Sequence, residues 1–360
     1  MPMGLPGLRA GVAASDPRRP ADPRLVDRFG RVATDLRVSL TDKCNLRCGY
    51  CMPAEGLDWM PSERLLTDDE VLRLVRIGVE HLGITEVRYT GGEPLLRKGL
   101  ESIVERTSTL RTVDGHAVET SLTTNGIGLS RRAQALVDAG LHRVNVSLDT
   151  LDPARFEQIT RRARHTDVLA GLAAAAAAGM SPVKVNAVLL RGVNDDEAPT
   201  LLRWALVHGY ALRIIEQMPL DAQGAWQRST MVTAADVLAA LSEHFTLIPE
   251  DAGRRGAAPA ESFRVAPTSD TPAGTVGIIA SVTRSFCGAC DRTRLTADGQ
   301  LRDCLFARSE TDLRALMRAG TSDAGIADVW REAMWRKRAG HGIDDVGFVQ
   351  PDRPMSAIGG

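Results

Sequence analysis

Cys44, Cys48 and Cys51 stand in a C-x3-C-x2-C spacing, and their number is what points to chemistry. A disulfide uses cysteines in pairs, and a closed structural zinc site uses four ligands. A cubane cluster holds four irons, so three thiolates leave one iron free to bind something else. No histidine lies in or near the motif to complete a zinc site. A second triplet, Cys287, Cys290 and Cys304, follows a C-x2-C-x13-C spacing. A zinc ribbon needs two pairs, yet a fourth cysteine is absent and no histidine falls between 286 and 304. A second cluster with an open iron fits that triplet better. Arg292 and Arg294 stand just past Cys290. On an ordinary strand they are surface charges; beside an open iron, two guanidinium forks suit a polyanion such as a triphosphate.

Six cysteines that fall into two triplets argue against a disulfide framework and for a reducing cytoplasm. The formal net charge of −1 and the 4% aromatic content give no reason to expect nucleic acid or an anionic membrane as partner. No apolar run reaches the length of a membrane span, and Arg18-Arg19 is followed by no apolar stretch that would make it an export signal.

The elements that must position these residues repeat. Residues 1–30 are rich in Pro, Gly, Ala and Arg and read as a mobile extension. A strand over 32–40 leads into the first cysteine loop. Thr67-Asp68-Asp69-Glu70 reads as a capping box before a helix reaching His81. A strand over 84–90 then meets Gly91-Gly92-Glu93-Pro94. Further strands over 117–122, 143–146, 183–190 and 212–217 alternate with helices near 97–110, 131–139, 153–161, 166–178 and 195–208. These are six βα units with short, mostly apolar strands, as a buried parallel sheet requires. Six is too few for a closed eightfold barrel. The fold class expected is α/β, an open partial TIM barrel over 31–244 with a smaller α+β domain over 245–360; a doubly wound sheet is the fallback. In either, the loops after the strands carry the site. Lys184 and Arg213 are cations on otherwise apolar strands, which is costly unless each faces an anion.

The stretch Cys44-Asn-Leu-Arg-Cys-Gly-Tyr-Cys-Met-Pro53, with an aromatic before the third cysteine, resembles the radical S-adenosylmethionine superfamily. Together with Cys287-Gly-Ala-Cys290-Asp-Arg-Thr-Arg-Leu-Thr-Ala-Asp-Gly299, Cys304 and the ending Gly359-Gly360, it resembles the GTP 3′,8-cyclase family, of MoaA type, over residues 30–360. The resemblance implies two 4Fe–4S clusters, on Cys44/Cys48/Cys51 and on Cys287/Cys290/Cys304, and S-adenosylmethionine on the first. It implies a 5′-deoxyadenosyl radical that removes the ribose 3′ hydrogen of GTP. The carbon radical then attacks guanine C8 to give a 3′,8-cyclo-7,8-dihydro GTP in the first step of molybdopterin biosynthesis. By motif match, Tyr50, Gly92, Ser147 and Met218 would contact S-adenosylmethionine. Arg37, Arg88, Thr123, Lys184 and the Arg292-Thr293-Arg294 run would contact GTP. Arg292, Arg294, Gly359 and Gly360 would act in catalysis. The Glu93 carboxylate would accept from the methionine ammonium, and the glycines before it would let backbone approach the cofactor. Glu86 stands where some relatives carry lysine, so it either points away or leaves the phosphate to Arg88. Implied partners are a flavodoxin- or ferredoxin-type reductant, a downstream cyclic pyranopterin monophosphate synthase and a second copy in a homodimer. Two other readings stay open: a radical enzyme that matures peptides with an auxiliary cluster, and a zinc-binding interaction module.

Overall fold

Alternation along the strands decides what lies inside. The structure is a computed structural model and describes residues 16–359. Strands β1 (Asp35–Ser39), β2 (Glu86–Thr90), β3 (Glu119–Thr124), β4 (Arg143–Ser147), β5 (Val183–Val188) and β6 (Ala211–Ile215) run parallel in chain order. Leu36, Val38, Val87, Tyr89, Val144 and Val185 are buried beneath the connecting helices. The residues between them form polar rows on the opposite face. Arg37 pairs in register with Arg88, Thr123 with Asn145, Asn145 with Lys184, and Asn186 with Arg213. The expectation of mostly apolar strands therefore holds for the outer face alone. An interior that receives a ligand has no need to be filled with branched side chains.

The connecting helices are α1 (Asp68–His81), α2 (Leu100–Ser108), α3 (Ala133–Asp138), α4 (Pro153–Thr160), α5 (His165–Ala177) and α6 (Ala198–Val207). The capping box before α1 is present in both directions between Thr67 and Glu70. Satisfying two end amides this way holds the start of the helix just beyond the cysteine loop.

After α7 (Ala234–Ser242) the chain makes β7 (Leu247–Pro249), a short α8 (Ala252–Arg255), β8 (Glu261–Val265) and β9 (Gly274–Ile279). Then come β10 (Arg292–Leu295), β11 (Gln300–Arg302) and β12 (Thr311–Asp312). The last helices are α9 (Leu313–Arg318), α10 (Asp323–Trp335) and α11 (Met355–Ile358). Rather than building a sheet of its own, the C-terminal region extends the first one at both edges. β9 joins β6 in parallel, and β10 joins β1 in parallel. The strand order is β12-β11-β10-β1-β2-β3-β4-β5-β6-β9-β8-β7. Because β9 and β10 pair outward and not with each other, the barrel stays open. Residues 280–291 carry the chain from one edge to the other, across the seam.

Residues 16–30 differ from the expected mobile extension. Leu25 is fully buried, and Leu25–Val26 pairs with Val32–Ala33 in a small hairpin. Trp335 Nε1 donates to Asp16 at 3.2 Å, and Arg331 Nε donates to the Pro23 carbonyl at 2.7 Å. Proline and arginine dominate the composition here, so the few apolar residues that dock on α10 leave no periodicity to read. Residues 1–15 lie outside the described residues. Among the described residues no helix is long and apolar enough to cross a membrane.

Candidate active site: one cavity shared by both cysteine triplets

The first cysteine loop leaves β1 and is held by the loop after β2. The Gly92 amide donates to the Thr41 carbonyl at 2.7 Å and the Glu93 amide to the Lys43 carbonyl at 2.8 Å. A Cβ on Gly92 would run into the Lys43 and Asp42 carbonyls, and one on Gly91 into that of Thr41. The two glycines thus let backbone approach backbone, stacking one loop on the other. Glu93 differs from expectation as well. It is fully buried and accepts from Thr124 Oγ1 at 2.7 Å and from the Asn125 and Leu95 amides at 2.7 and 2.9 Å. Its carboxylate is used up in tying two loops together.

Cys44, Cys48 and Cys51 line a cavity inside the barrel mouth. Burial pushes all three thiols up, Cys51 to about 12, so none would ionise here without a cation. The Leu46 amide lies 3.5 Å from the Cys44 sulfur and Asn125 Nδ2 at 3.8 Å. The chemistry of this donor set fits a cationic iron–sulfur core. Among the described residues no three His, Cys, Asp or Glu converge as ligands of a single ion. Tyr50, Ser147, Met218 and Gly92 line the same cavity. Tyr50 donates its hydroxyl to Asp149 at 2.8 Å, and Asp149 also accepts from the Val188 amide at 2.9 Å. Burial raises Asp149 to about 6.

The second triplet lines the same space. Cys287 and Cys290 sit on the segment that crosses the seam, and Cys304 follows β11. Lys337 Nζ and Arg292 Nε each lie 3.3 Å from the Cys290 sulfur. Burial opposes ionisation of Cys290, but the charges of Lys337 and Arg292 outweigh it and bring the thiol down to about 7.

Arginines make the rest of the wall. Arg37, Arg88, Arg213, Arg292 and Arg294 line the cavity, against two carboxylates, Asp149 and Asp303. Burial first, with mutual repulsion added, pushes Arg37 down to about 10 and Arg213 to about 9. Arg213 donates to Asn186 at 3.0 Å and to Asn145 at 2.7 Å, and Asn145 donates to Thr123 at 3.2 Å. Glu86 bonds Arg88 at 2.5 Å and Arg143 at 2.8 Å, and it is held at about 2 by those two cations although burial opposes this. Glu86 is a counter-ion beneath the wall and leaves the cavity to Arg88. Lys184 is not part of the wall proper; burial, then Arg213, Arg143 and Arg88, push it down to about 8. Among the described residues, Nε of Arg37 and of Arg88 and Nη2 of Arg292 are buried without a partner. Each of these arginines has an ionic or sulfur partner yet keeps an unspent N–H, and donors left over on residues that line one cavity are what a polyphosphate would satisfy.

Thr293 stands apart. Its hydroxyl accepts from Trp330 Nε1 at 3.2 Å, on the side of β10 that α10 covers. The alternation of the strand explains this, because Arg292 and Arg294 face inward and the residue between them faces out. The C-terminal tail enters the cavity instead. Arg353 grips Asp298 through two bonds of 2.9 Å, Met355 and Ser356 line the wall, and Arg294 donates to the Gly359 carbonyl. Gly360 lies outside the described residues.

A family model for the Radical SAM superfamily matches residues 38–205, and one for Molybdenum Cofactor Synthesis C matches 210–343. A protein of Mycobacterium sp. (strain KMS) named GTP 3′,8-cyclase is 60% identical over 100% of this chain and 99% of its own. One of the same name from Streptomyces coelicolor is 63% identical over 93% of this chain and 96% of its own. The chain belongs to the GTP 3′,8-cyclase family. Among solved structures, Streptococcus suis SuiB bound to S-adenosylmethionine aligns with a TM-score of 0.51 at 13% identity, over 83% of this chain and 68% of that one. Native anSMEcpe with bound AdoMet aligns at 0.54 and 14%, over 85% and 81%. Both likenesses support the partial-barrel fold. For this GTP 3′,8-cyclase family member, superfamily membership implies a 4Fe–4S cluster and S-adenosylmethionine, and Cys44, Cys48 and Cys51 are cysteines present that would hold the cluster. Motif reading missed Lys337, which lies in the basic run Trp335-Arg-Lys-Arg338 and looks like a solvated surface. It also missed the fixing of Tyr50 by Asp149, for which the Ser147-Leu-Asp149 strand end was the signal available.

Proposed function

We propose that this chain catalyses the cyclisation of GTP to 3′,8-cyclo-7,8-dihydro GTP, the first step of molybdopterin biosynthesis, in the cytoplasm. The observation that carries this reading is that both cysteine triplets and five arginines share one cavity. Cys44, Cys48 and Cys51 would hold the first cluster. When bound and reduced, it supplies the electron that splits S-adenosylmethionine into methionine and a 5′-deoxyadenosyl radical. Ser147, Met218 and Tyr50 border the space where that cofactor would lie, and Asp149 fixes the Tyr50 ring. Cys287, Cys290 and Cys304 would hold a second 4Fe–4S cluster, whose open iron would take the guanine. Arg37, Arg88 and Arg213 would take the triphosphate, with Lys184 behind them and Thr123 fixing Arg213 through Asn145. Arg292 and Arg294 would stand between the two ends. The substrate would then lie across the barrel, its ribose turned toward the first triplet. A flavodoxin- or ferredoxin-type reductant, a pyranopterin synthase that uses the product and a homodimer complete the reading.

Anaerobic incubation with GTP, S-adenosylmethionine and a strong reductant, followed by mass analysis of the nucleotide, tests it. A cyclised dihydro nucleotide together with 5′-deoxyadenosine is expected, and Cys44→Ala is expected to form neither. Normal 5′-deoxyadenosine from that variant would sink the assignment of the first triplet.

A further inference from the structure

The two cysteine triplets differ in what surrounds their sulfurs. Around the first, the donors to the Cys44 sulfur among the described residues are neutral, the Leu46 amide and Asn125. Around the second, the Cys290 sulfur has two cationic donors, and one of them comes from outside the motif. Lys337 is 3% exposed, so its ammonium is stripped of water. It spends its donors on the Cys290 sulfur at 3.3 Å and the Arg292 carbonyl at 2.7 Å. The Asp303 carboxylate offsets part of this charge from nearby, but the hydrogen bonds of the ammonium go to the sulfur and one carbonyl, and a neutral thiol there would compensate it poorly. A thiolate carrying an iron is the compensation that the geometry offers.

Several contacts seat this lysine. Trp330 is fully buried, and its bond to Thr293 fixes α10 beneath β10, so that Lys337, two residues past the helix end, points at Cys290. Arg31, from the N-terminal hairpin, donates to the Arg338 and Ala339 carbonyls at 2.6 and 2.8 Å. With the same guanidinium it donates to the Cys287 carbonyl at 2.6 Å. Asp27, itself buried, holds the Arg31 Nε at 2.5 Å. One arginine thus ties the backbone that carries Lys337 to the backbone of a cysteine from the same triplet.

We propose that Lys337 is a positioning residue for the auxiliary cluster, donating to the Cys290 thiolate so that the cluster is retained and its reduction potential is raised, with Arg31 holding Lys337 and Cys287 in register. The proposal rests on the reading that the second triplet binds a cluster. Hydrogen bonds to ligand sulfurs and added positive charge both raise the potential of such a centre. Partners of this kind typically contribute 10- to 100-fold in metal affinity.

The test uses the full chain carrying Cys44→Ala, Cys48→Ala and Cys51→Ala, reconstituted anaerobically with iron and sulfide, so that the second triplet is the cluster site left. Iron content, the midpoint potential of the reduced cluster's paramagnetic signal and the rate of iron loss to a chelator are measured. Lys337→Gln keeps a donor but loses the charge, Lys337→Arg keeps both, and Arg31→Ala releases the clamp. Lys337→Gln should lower the midpoint and speed iron loss about tenfold or more. Lys337→Arg should recover most of the midpoint, and Arg31→Ala should speed iron loss. A parent that holds its cluster while Lys337→Gln changes neither midpoint nor chelation rate would overturn this proposal alone. A parent that takes up no iron would overturn the two-cluster reading and this proposal with it.

Discussion

Lys184 shows what a crowded cationic cavity does to a single side chain. Burial, then Arg213, Arg143 and Arg88, lower it to about 8, with Glu86 pulling the other way. A lysine held below its ordinary value weakens the empty fold below about pH 8, where it is charged in both states. That penalty is relieved as pH rises toward its ordinary 10.5. A bound triphosphate favours the ammonium and reverses the depression. Affinity for GTP should therefore be insensitive to this group below about pH 8, then fall by up to about tenfold per pH unit above it, because binding must take up a proton. Calorimetry across that range, in buffers of different ionisation enthalpy, would detect the proton. Lys184→Met should remove the slope; a slope that persists in Lys184→Met would assign the proton to another group. Arg292→Ala and Arg294→Ala should each lower GTP turnover about 100-fold or more, the scale reported for lost transition-state donors. Iron bound at the first triplet should be unaffected. Unchanged cyclisation in both would reduce them to structural charges.

Loops after strands decide how the residues meet. Gly92 lies against the Lys43 and Asp42 carbonyls, so Gly92→Ala must force the β2 loop away from the cysteine loop. Overpacking of this kind costs about 1–3 kcal/mol. The expected result is loss of iron from the first triplet, read in a chain whose second triplet has been changed to alanine. Full iron content there would show that the stacking is dispensable. This element was half legible in the sequence. Gly-Gly-Glu-Pro after a second strand marked the loop, but the glycines serve another loop, and Glu93 is spent on Thr124 and Asn125. A motif reports that a backbone must come close to something; it cannot report to what. The cysteine spacings, the Thr67–Glu70 box and the order of the six βα units were readable because each is local in sequence. Lys337, Arg31 and the Thr293–Trp330 bond were not, because each joins segments far apart in the chain and leaves no local pattern.

At the scale of the molecule, the C-terminal segment comes back to the site. The tail returns to Arg294 and is pinned by Arg353 on Asp298, whose side chain is 1% exposed. Arg353→Ala should leave iron content unchanged but let Gly359 wander. Cyclisation should drop by up to about 100-fold, the cost of a small misplacement near reacting groups. Iron loss from either triplet in that variant would point to a structural role instead. The pairing of the C-terminal strands with the barrel is where sequence reading fell shortest. Strands β9 and β10 carry no local mark of their partners, and the register with β6 and β1 is what makes them continuations of the barrel.

The row of parallel strands is fastened at its two ends by residues 280–291, a loop, and not by strand pairing. The girth of the mouth is thus written in a loop, and that same loop carries Cys287 and Cys290 of the second triplet. Lengthening or shortening that loop would re-size the opening and move the second triplet with it, while the residues of the first triplet stay unedited on their own loop. Editing a few residues of one crossing segment would therefore change the room in the cavity and the seat of the second triplet together.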